Sequence, residues 1–235
     1  MIDGEFLRKY LIDEGVSKVG YCSVNIDDFP NLNNAISLVL KLPKEAIENL
    51  LDDEFRKYWD IFHEELDKLT EISIKAEQMI KDNGYDAFAL TMKRNECNME
   101  KLLSKMPYKT LATKSGLGWI GRSALFVCEE YGSAVVLLGI LTDMPLESGK
   151  AITDSFCDDC EECQKACPVE AINPAKWNSR LNRSDIIDID SCSQYVIEQF
   201  KSGLGCSKCL SNCKLTQNYY KKELCRVRPI IQFLD

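Results

Sequence analysis

Eight of the twelve cysteines in this chain fall between Cys157 and Cys213, and their spacing carries the plainest chemistry in the sequence. Cys157, Cys160 and Cys163 recur every third residue, and Cys167 follows after a longer step, directly before Pro168. Steps of three let a tight loop aim successive sulfurs at three irons of one 4Fe–4S cubane, while the longer step turns the fourth sulfur toward another. Cys206, Cys209 and Cys213 repeat the pattern in shorter form, with Cys192 standing 14 residues upstream of Cys206. The ligands then divide into two sets of four: Cys157, Cys160, Cys163 and Cys213 for one cluster, and Cys167, Cys192, Cys206 and Cys209 for the other. Zinc is the rival, because paired C-x2-C thiolates also make four-thiolate zinc sites. Three cysteines in one run followed by Cys-Pro favour iron and sulfide, and disulfides do not persist in a reducing compartment.

Residues 154–170 carry six acids against one base, Lys165, a field that opposes adding an electron and predicts a low reduction potential. Cys22 and Cys128 lie in aliphatic runs and read as small buried hydrophobes, whereas Cys97 and Cys225 have no ligand spacing. His63 is the only histidine, with no second His or Cys spaced to share a metal, so it reads as a surface or boundary residue. No Ser-His-Asp or Cys-His nucleophile can be assembled around it, which argues against hydrolase chemistry. Phe55, Trp59 and Phe62 form a stripe at helical spacing and read as core.

The elements that must position the thiols follow from apolar periodicity. Asp3 reads as the cap of a first helix with Phe6, Leu7, Tyr10 and Leu11 on one face, and Gly15 as its stop. Residues 19–24, 35–42 and 87–92 are short aliphatic runs bounded by turn residues and are predicted strands. Pro43 opens a long helical pattern continued by Trp59, Phe62, Leu66, Leu69, Ala76 and Ile80 to the stop at Asn83-Gly84. Two further strands, 123–128 and 133–141, are predicted as a hairpin turning at Gly132. The expected architecture is an α/β (α+β) N-terminal domain, residues 1–148, followed by a small ferredoxin-like double-cluster domain, residues 149–235, whose tail from Tyr219 closes as a short helix. Metal–sulfur bonds rather than a large core are expected to fix the second domain.

Composition narrows the function. With 45% hydrophobic and 28% charged residues over 235 positions the chain is globular rather than disordered. The longest apolar run, 134–141, is far short of the roughly 20 residues of a membrane-spanning helix. The N-terminal residues place charges where a signal peptide needs its apolar stretch, so the expectation is a cytoplasmic protein without membrane association. A net charge of -8 disfavours non-specific binding to nucleic acid or anionic membrane. Residues 92–122 run against that trend, with Lys93, Arg94, Lys101, Lys105, Lys109, Lys114 and Arg122 facing only Glu96 and Glu100. The segment reads equally as a contact for an anionic partner or as a solvated helix surface.

Gly116-Leu117-Gly118-Trp119-Ile120-Gly121 satisfies G-x-G-x-x-G, yet a dinucleotide site needs a strand before the motif and a helix after it. Here the order is reversed, so NAD binding is rejected, and the glycines also read simply as places where the backbone turns or approaches a neighbour closely. Taken together, the segment ATKSGLGWIGRSALFV (112–127), the segment YGSAVVLLGILTDMPL (131–146) and the split cysteine set resemble epoxyqueuosine reductase and its shorter relatives, over roughly residues 100–215. The resemblance implies an N-terminal domain that binds a base-off corrinoid such as cobalamin. Two 4Fe–4S clusters would feed it electrons to remove an epoxide oxygen from a modified tRNA nucleoside. It places Trp119, Gly121, Arg122, Ser123, Gly132 and Ser133 near the corrinoid, makes tRNA phosphate or another anionic substrate the partner of the basic segment, and implies reduced ferredoxin or flavodoxin as electron donor.

Two departures stand out. Leu102 occupies the position of the Asp proton donor of that family, and the C-terminal helical repeats of many full-length reductases do not follow the cysteine module. Tyr108 is a candidate proton donor in place of the missing acid, and reads equally as an ordinary packing aromatic. The alternative function is an electron-transfer or reductive-activation protein without a substrate of its own.

Overall fold

The computed structural model describes residues 2–94, 107–201 and 205–227. Helix α1 (Gly4–Asp13) begins as the sequence predicts, with the Asp3 carboxylate accepting the Phe6 N–H at 2.8 Å. Gly15, at φ +105, then lets the chain reverse into strand β1 (Lys18–Ser23). Strand β2 (Asn34–Lys41) pairs antiparallel with β1. The long helical pattern divides into α2 (Lys44–Leu51) and α3 (Phe55–Asp82), because Asp53 takes a left-handed φ of 59 between them. Strand β3 (Ala87–Leu90), helix α4 (Tyr108–Lys114), the short strands β4 (Trp119–Ile120) and β5 (Phe126–Val127), and strand β6 (Val135–Thr142) complete the first part.

The main sheet has the order β1-β2-β6-β3 with every pair antiparallel. Its central strands are aliphatic throughout because both faces are covered. Ile36, Leu38, Leu40, Leu138 and Ile140 point to the core shared with α1, α2 and α3. Ala35, Val39 and Leu141 point to the opposite face, where Leu111 and Ala112 of α4 pack. Each such Leu or Ile side chain, removed from water, contributes roughly 1.5–3 kcal/mol. Gly139 leaves room for α4: a Cβ would lie 2.6 Å from Leu111 Cδ1, so that side chain would have to shift.

The expected hairpin between 123–128 and 133–141 is reduced to a single bridge. Cys128 and Gly132 exchange N–H···O bonds of 2.9 Å in each direction. Strand β5 pairs with β4, however, whereas β6 pairs with β2 and β3, so the turn connects two sheets.

The cysteine-bearing part contains α5 (Glu162–Lys165), α6 (Arg183–Ile186), α7 (Ile189–Lys201), α8 (Lys208–Ser211) and α9 (Lys214–Val227). A small apolar cluster of Ala124, Ala171, Ile172, Ile186 and Ile187 sits inside it. Leu210 and Tyr219 belong instead to the main core, and Tyr219 Oη donates to Leu42 O at 2.8 Å. The last helices therefore pack on the core of the first part, and the closing helix begins before Tyr219. Among the described residues no helix is long and apolar enough to cross a membrane.

Candidate functional site

Cys157, Cys160, Cys163 and Cys213 line one cavity of about 700 Å³, which Gly121, Arg122 and Ser123 wall on another side. The local chain explains how the thiols arrive there. The Cys160 N–H bonds Cys157 O at 3.0 Å, closing a tight loop in which Asp158 takes a left-handed φ of 47. Such a conformation costs a non-glycine residue about 1–2 kcal/mol, so the surroundings must hold it. Helix α5 carries Cys163, and Cys213 follows α8, its N–H donating to Leu210 O. Gly121 lets the preceding loop come close, since a Cβ there would lie 2.8 Å from Val127 Cγ2 and 3.5 Å from Cys157 Sγ.

Cys167, Cys192 and Cys209 pack against the small apolar cluster, as does Cys163, and Cys206 lies near Cys192 and Cys209. The Ala171 N–H points at Cys167 Sγ at 3.3 Å. Cys192 lies in the first turn of α7, whose start is held by Asp188 accepting from the Ser191 N–H and hydroxyl. Burial, and then Cys157, Cys213 and Cys160, raise the Cys163 thiol to about 11. Burial, and then Cys206 and Cys167, push Cys192 up, while Cys209 is pushed up by burial and by Cys206, Cys192, Cys163 and Cys167. These thiols are neutral on their own, and a bound metal would deprotonate them as it coordinates them. The donor set thus fits sulfur-ligated iron. Among the described residues no three His, Cys, Asp or Glu side chains converge closely enough for a single metal ion.

The remaining expected residues have varied surroundings. Trp119 is buried, meets the exposed Phe156 ring edge-on at 5.2 Å between centroids, and its Nε1 has no hydrogen-bond partner. The Arg122 guanidinium is buried and donates to Pro174 O at 2.9 Å and Asp158 O at 3.0 Å, so it ties the glycine loop to the cysteine run. Gly132, at φ +60, abuts the backbone of Thr216, and the Ser133 N–H donates to Thr216 Oγ1 at 3.0 Å. These two residues seat Thr216 in the first turn of α9, three positions beyond Cys213. Gly116 lies against the backbone of Lys150, a Cβ there falling 2.5 Å from its carbonyl oxygen, and Gly118 approaches Val127, as the close-approach reading of the glycines anticipates. Tyr108 opens α4 and packs between two apolar clusters.

Among its described residues the basic segment does not present its charges together. Arg94 pairs with Glu77 at 2.6 Å, Lys109 turns inward to donate to Ala124 O at 2.7 Å, and Arg122 is committed as above. Lys93 and Lys114 are exposed. Cys97, Lys101, Leu102 and Lys105 lie outside the described residues, as does the Cys225 side chain. Cys22 and Cys128 are buried, and desolvation raises both thiols, Cys128 to about 11. His63 stands edge-on to Trp59 at 4.7 Å, away from the cysteines in sequence and without a metal-binding set. Lys109, Arg183 and Thr216 are the residues near the thiols that spacing did not single out, since none belongs to a motif.

No family model matches the chain. The epoxyqueuosine reductase of Lactococcus garvieae (strain Lg2) is 25% identical over 234 residues, covering 90% of this chain and 62% of that protein. A solved epoxyqueuosine reductase bound to a modified tRNA-Tyr stem loop superposes with a TM-score of 0.59 over 92% of this chain and 65% of that one, at 16% identity. The chain resembles the epoxyqueuosine reductases. A reductive dehalogenase structure described as B12-dependent also superposes, with a TM-score of 0.68 over 95% of this chain and 34% of its own, at 15% identity. These structural likenesses establish a shared mixed α/β fold. The epoxyqueuosine reductase-like chain spans less than two thirds of the length of the curated relatives it matches.

Proposed function

We propose that this chain is an iron–sulfur oxidoreductase that passes electrons through two 4Fe–4S clusters to a corrinoid or substrate site beside the glycine loop. The observation that carries the reading is the gathering of Cys157, Cys160, Cys163 and Cys213 around one cavity, with the other four thiols grouped beside it. When bound, the clusters supply one-electron transfer and the corrinoid a cobalt centre; the protein's part is placement and exclusion of water. Cys157, Cys160, Cys163 and Cys213 would hold one cluster, and Cys167, Cys192, Cys206 and Cys209 the other. Trp119, Gly121 and Ser123 offer the corrinoid a wall of one aromatic ring and closely approachable backbone. Arg122 fixes that wall to the cysteine run, and Gly132 with Ser133 fixes the start of α9.

The substrate class carried by the resemblance is a modified nucleoside of tRNA, with reduced ferredoxin or flavodoxin as donor. The ferredoxin-like module and its boundary near residue 149 belong to the same reading, as does a cytoplasmic setting. A second reading, an electron-transfer or reductive-activation protein with no substrate of its own, is favoured by Leu102 standing where the reductases carry an acid. Anaerobic titration with cobalamin separates the two. A shift of the corrinoid spectrum to the base-off form supports the reductase scaffold, and a cluster-loaded protein that leaves the spectrum unchanged supports the carrier.

A further inference from the structure

Among the described lysines of the basic segment, Lys109 is the one whose ammonium turns toward the thiol-bearing part of the molecule. It leaves α4 one residue after the helix begins and reaches Ala124, a member of the apolar cluster against which Cys167, Cys192 and Cys209 pack. Its only described hydrogen bond is to the neutral Ala124 carbonyl, at 2.7 Å, and among the described residues no carboxylate pairs with it. Burial, and then the Arg183 charge, hold the ammonium down to about 8, while Cys209 pulls it back up. Arg183, at the start of α6, lies near Cys192 as well, and half-burial lowers it from its ordinary value. The Lys109 ammonium is thus set against an apolar lining, counter to the natural preference of charge for water. A neighbouring negative centre offsets that cost, and a reduced iron–sulfur cluster is more negative by one electron than its oxidised form.

We propose that Lys109, supported by Arg183, is a positioning residue that raises the reduction potential of the cluster held by Cys167, Cys192, Cys206 and Cys209. The inference rests on the two-cluster reading above. A fixed positive charge in a medium of low effective dielectric stabilises the added electron, and over several ångströms its effect is on the order of tenfold in the reduction equilibrium. Other charges near this set are balanced or exposed: Lys208, which faces Cys206, is paired with Asp53, and Asp188, which faces Cys192, is exposed. The first set has its own charges on the cavity wall, Arg122 and Lys214 together with Asp158, Asp159 and Glu162, so different residues face the two sites. In the reduction itself the oxidised cluster takes one electron from the reductant and no bond is broken.

The test is a dithionite titration of the anaerobically reconstituted full chain, followed by electron paramagnetic resonance, for the native protein, Lys109→Met, Lys109→Arg and Arg183→Gln. Lys109→Met keeps the length of the side chain and removes its charge. It is expected to make one of the two reduction steps about tenfold less favourable, about 59 mV for one electron, and to leave the other unchanged. Lys109→Arg restores the native value, and Arg183→Gln moves the same step in the same direction. An unmoved step in Lys109→Met at full iron content, or equal movement of both steps, overturns the inference while leaving the two-cluster reading intact. If Lys109→Met does not take up its iron, the Arg183→Gln step decides in the same way. A native chain that binds no iron overturns the two-cluster reading itself.

Discussion

The sheet and the thiol-bearing part of this molecule are held together by different means. In the sheet, Ile36, Leu38, Leu138 and Ile140 are wholly removed from water and pair across two antiparallel strands. Among the described residues between 149 and 213 the buried apolar side chains are Ala171, Ile172, Ile186, Ile187 and Leu210, too few to oppose the chain entropy of that length by themselves. Three of the four helices there have four residues each. One part is therefore specified by apolar periodicity, and on the proposed two-cluster reading the other depends on its thiols, so the two should fail under different insults.

Loss of a ligand is the harshest of these. Cys163→Ser, or iron removal by a chelator, is expected to release residues 150–213 to protease while the sheet stays resistant, since metal-coupled folding of small thiolate sites is on the order of 10 kcal/mol. Limited proteolysis with mass spectrometry reads both parts at once. Leu138→Ala strikes the other side of the comparison: a fully buried leucine in the central strand should cost about 4 kcal/mol in urea unfolding, with iron per folded chain unchanged. Gly132→Val attacks the junction, because a side chain there meets the Thr216 backbone at a left-handed φ. A cost of about 2–3 kcal/mol is expected, together with iron loss, since Cys213 lies three residues from Thr216. Iron retained at the native level would show that the junction does not position Cys213.

The smallest effect is expected at Glu77. Burial would raise this carboxyl, but Lys81, the Ala89 N–H and Arg94 together hold it below its ordinary value. A carboxylate of depressed pKa contributes stability that is present above its unfolded value of about 4.3 and disappears as pH falls through its folded value. Glu77→Gln should cost about 1–2 kcal/mol at pH 7 and converge on the native protein in acid. Parallel melts at pH 7 and in acid check it, and a constant difference at both would contradict the assignment.

Legibility followed the same division. The strands and the first cap were readable because aliphatic runs and Asp3 act locally. The break at Asp53 was not, because a single left-handed aspartate leaves no trace in apolar spacing. The cysteine run was readable from spacing alone, and Cys157, Cys160, Cys163 and Cys213 line one cavity. The tasks of Arg122 and Gly132 were hidden because their partners, Pro174 and Thr216, are distant in sequence. The same distance hid the attachment of α9, whose Tyr219 bonds Leu42. A run of basic residues likewise suggested a charged face, while Arg94, Lys109 and Arg122 turn to partners within the protein.

The central claim is that the eight thiols hold two iron–sulfur clusters. Anaerobic purification with iron and zinc analysis, followed by electron paramagnetic resonance of the reduced chain, tests it most directly. The account predicts about eight irons per chain and the signals of two reduced clusters. A colourless protein carrying about two zinc ions in place of iron would contradict it.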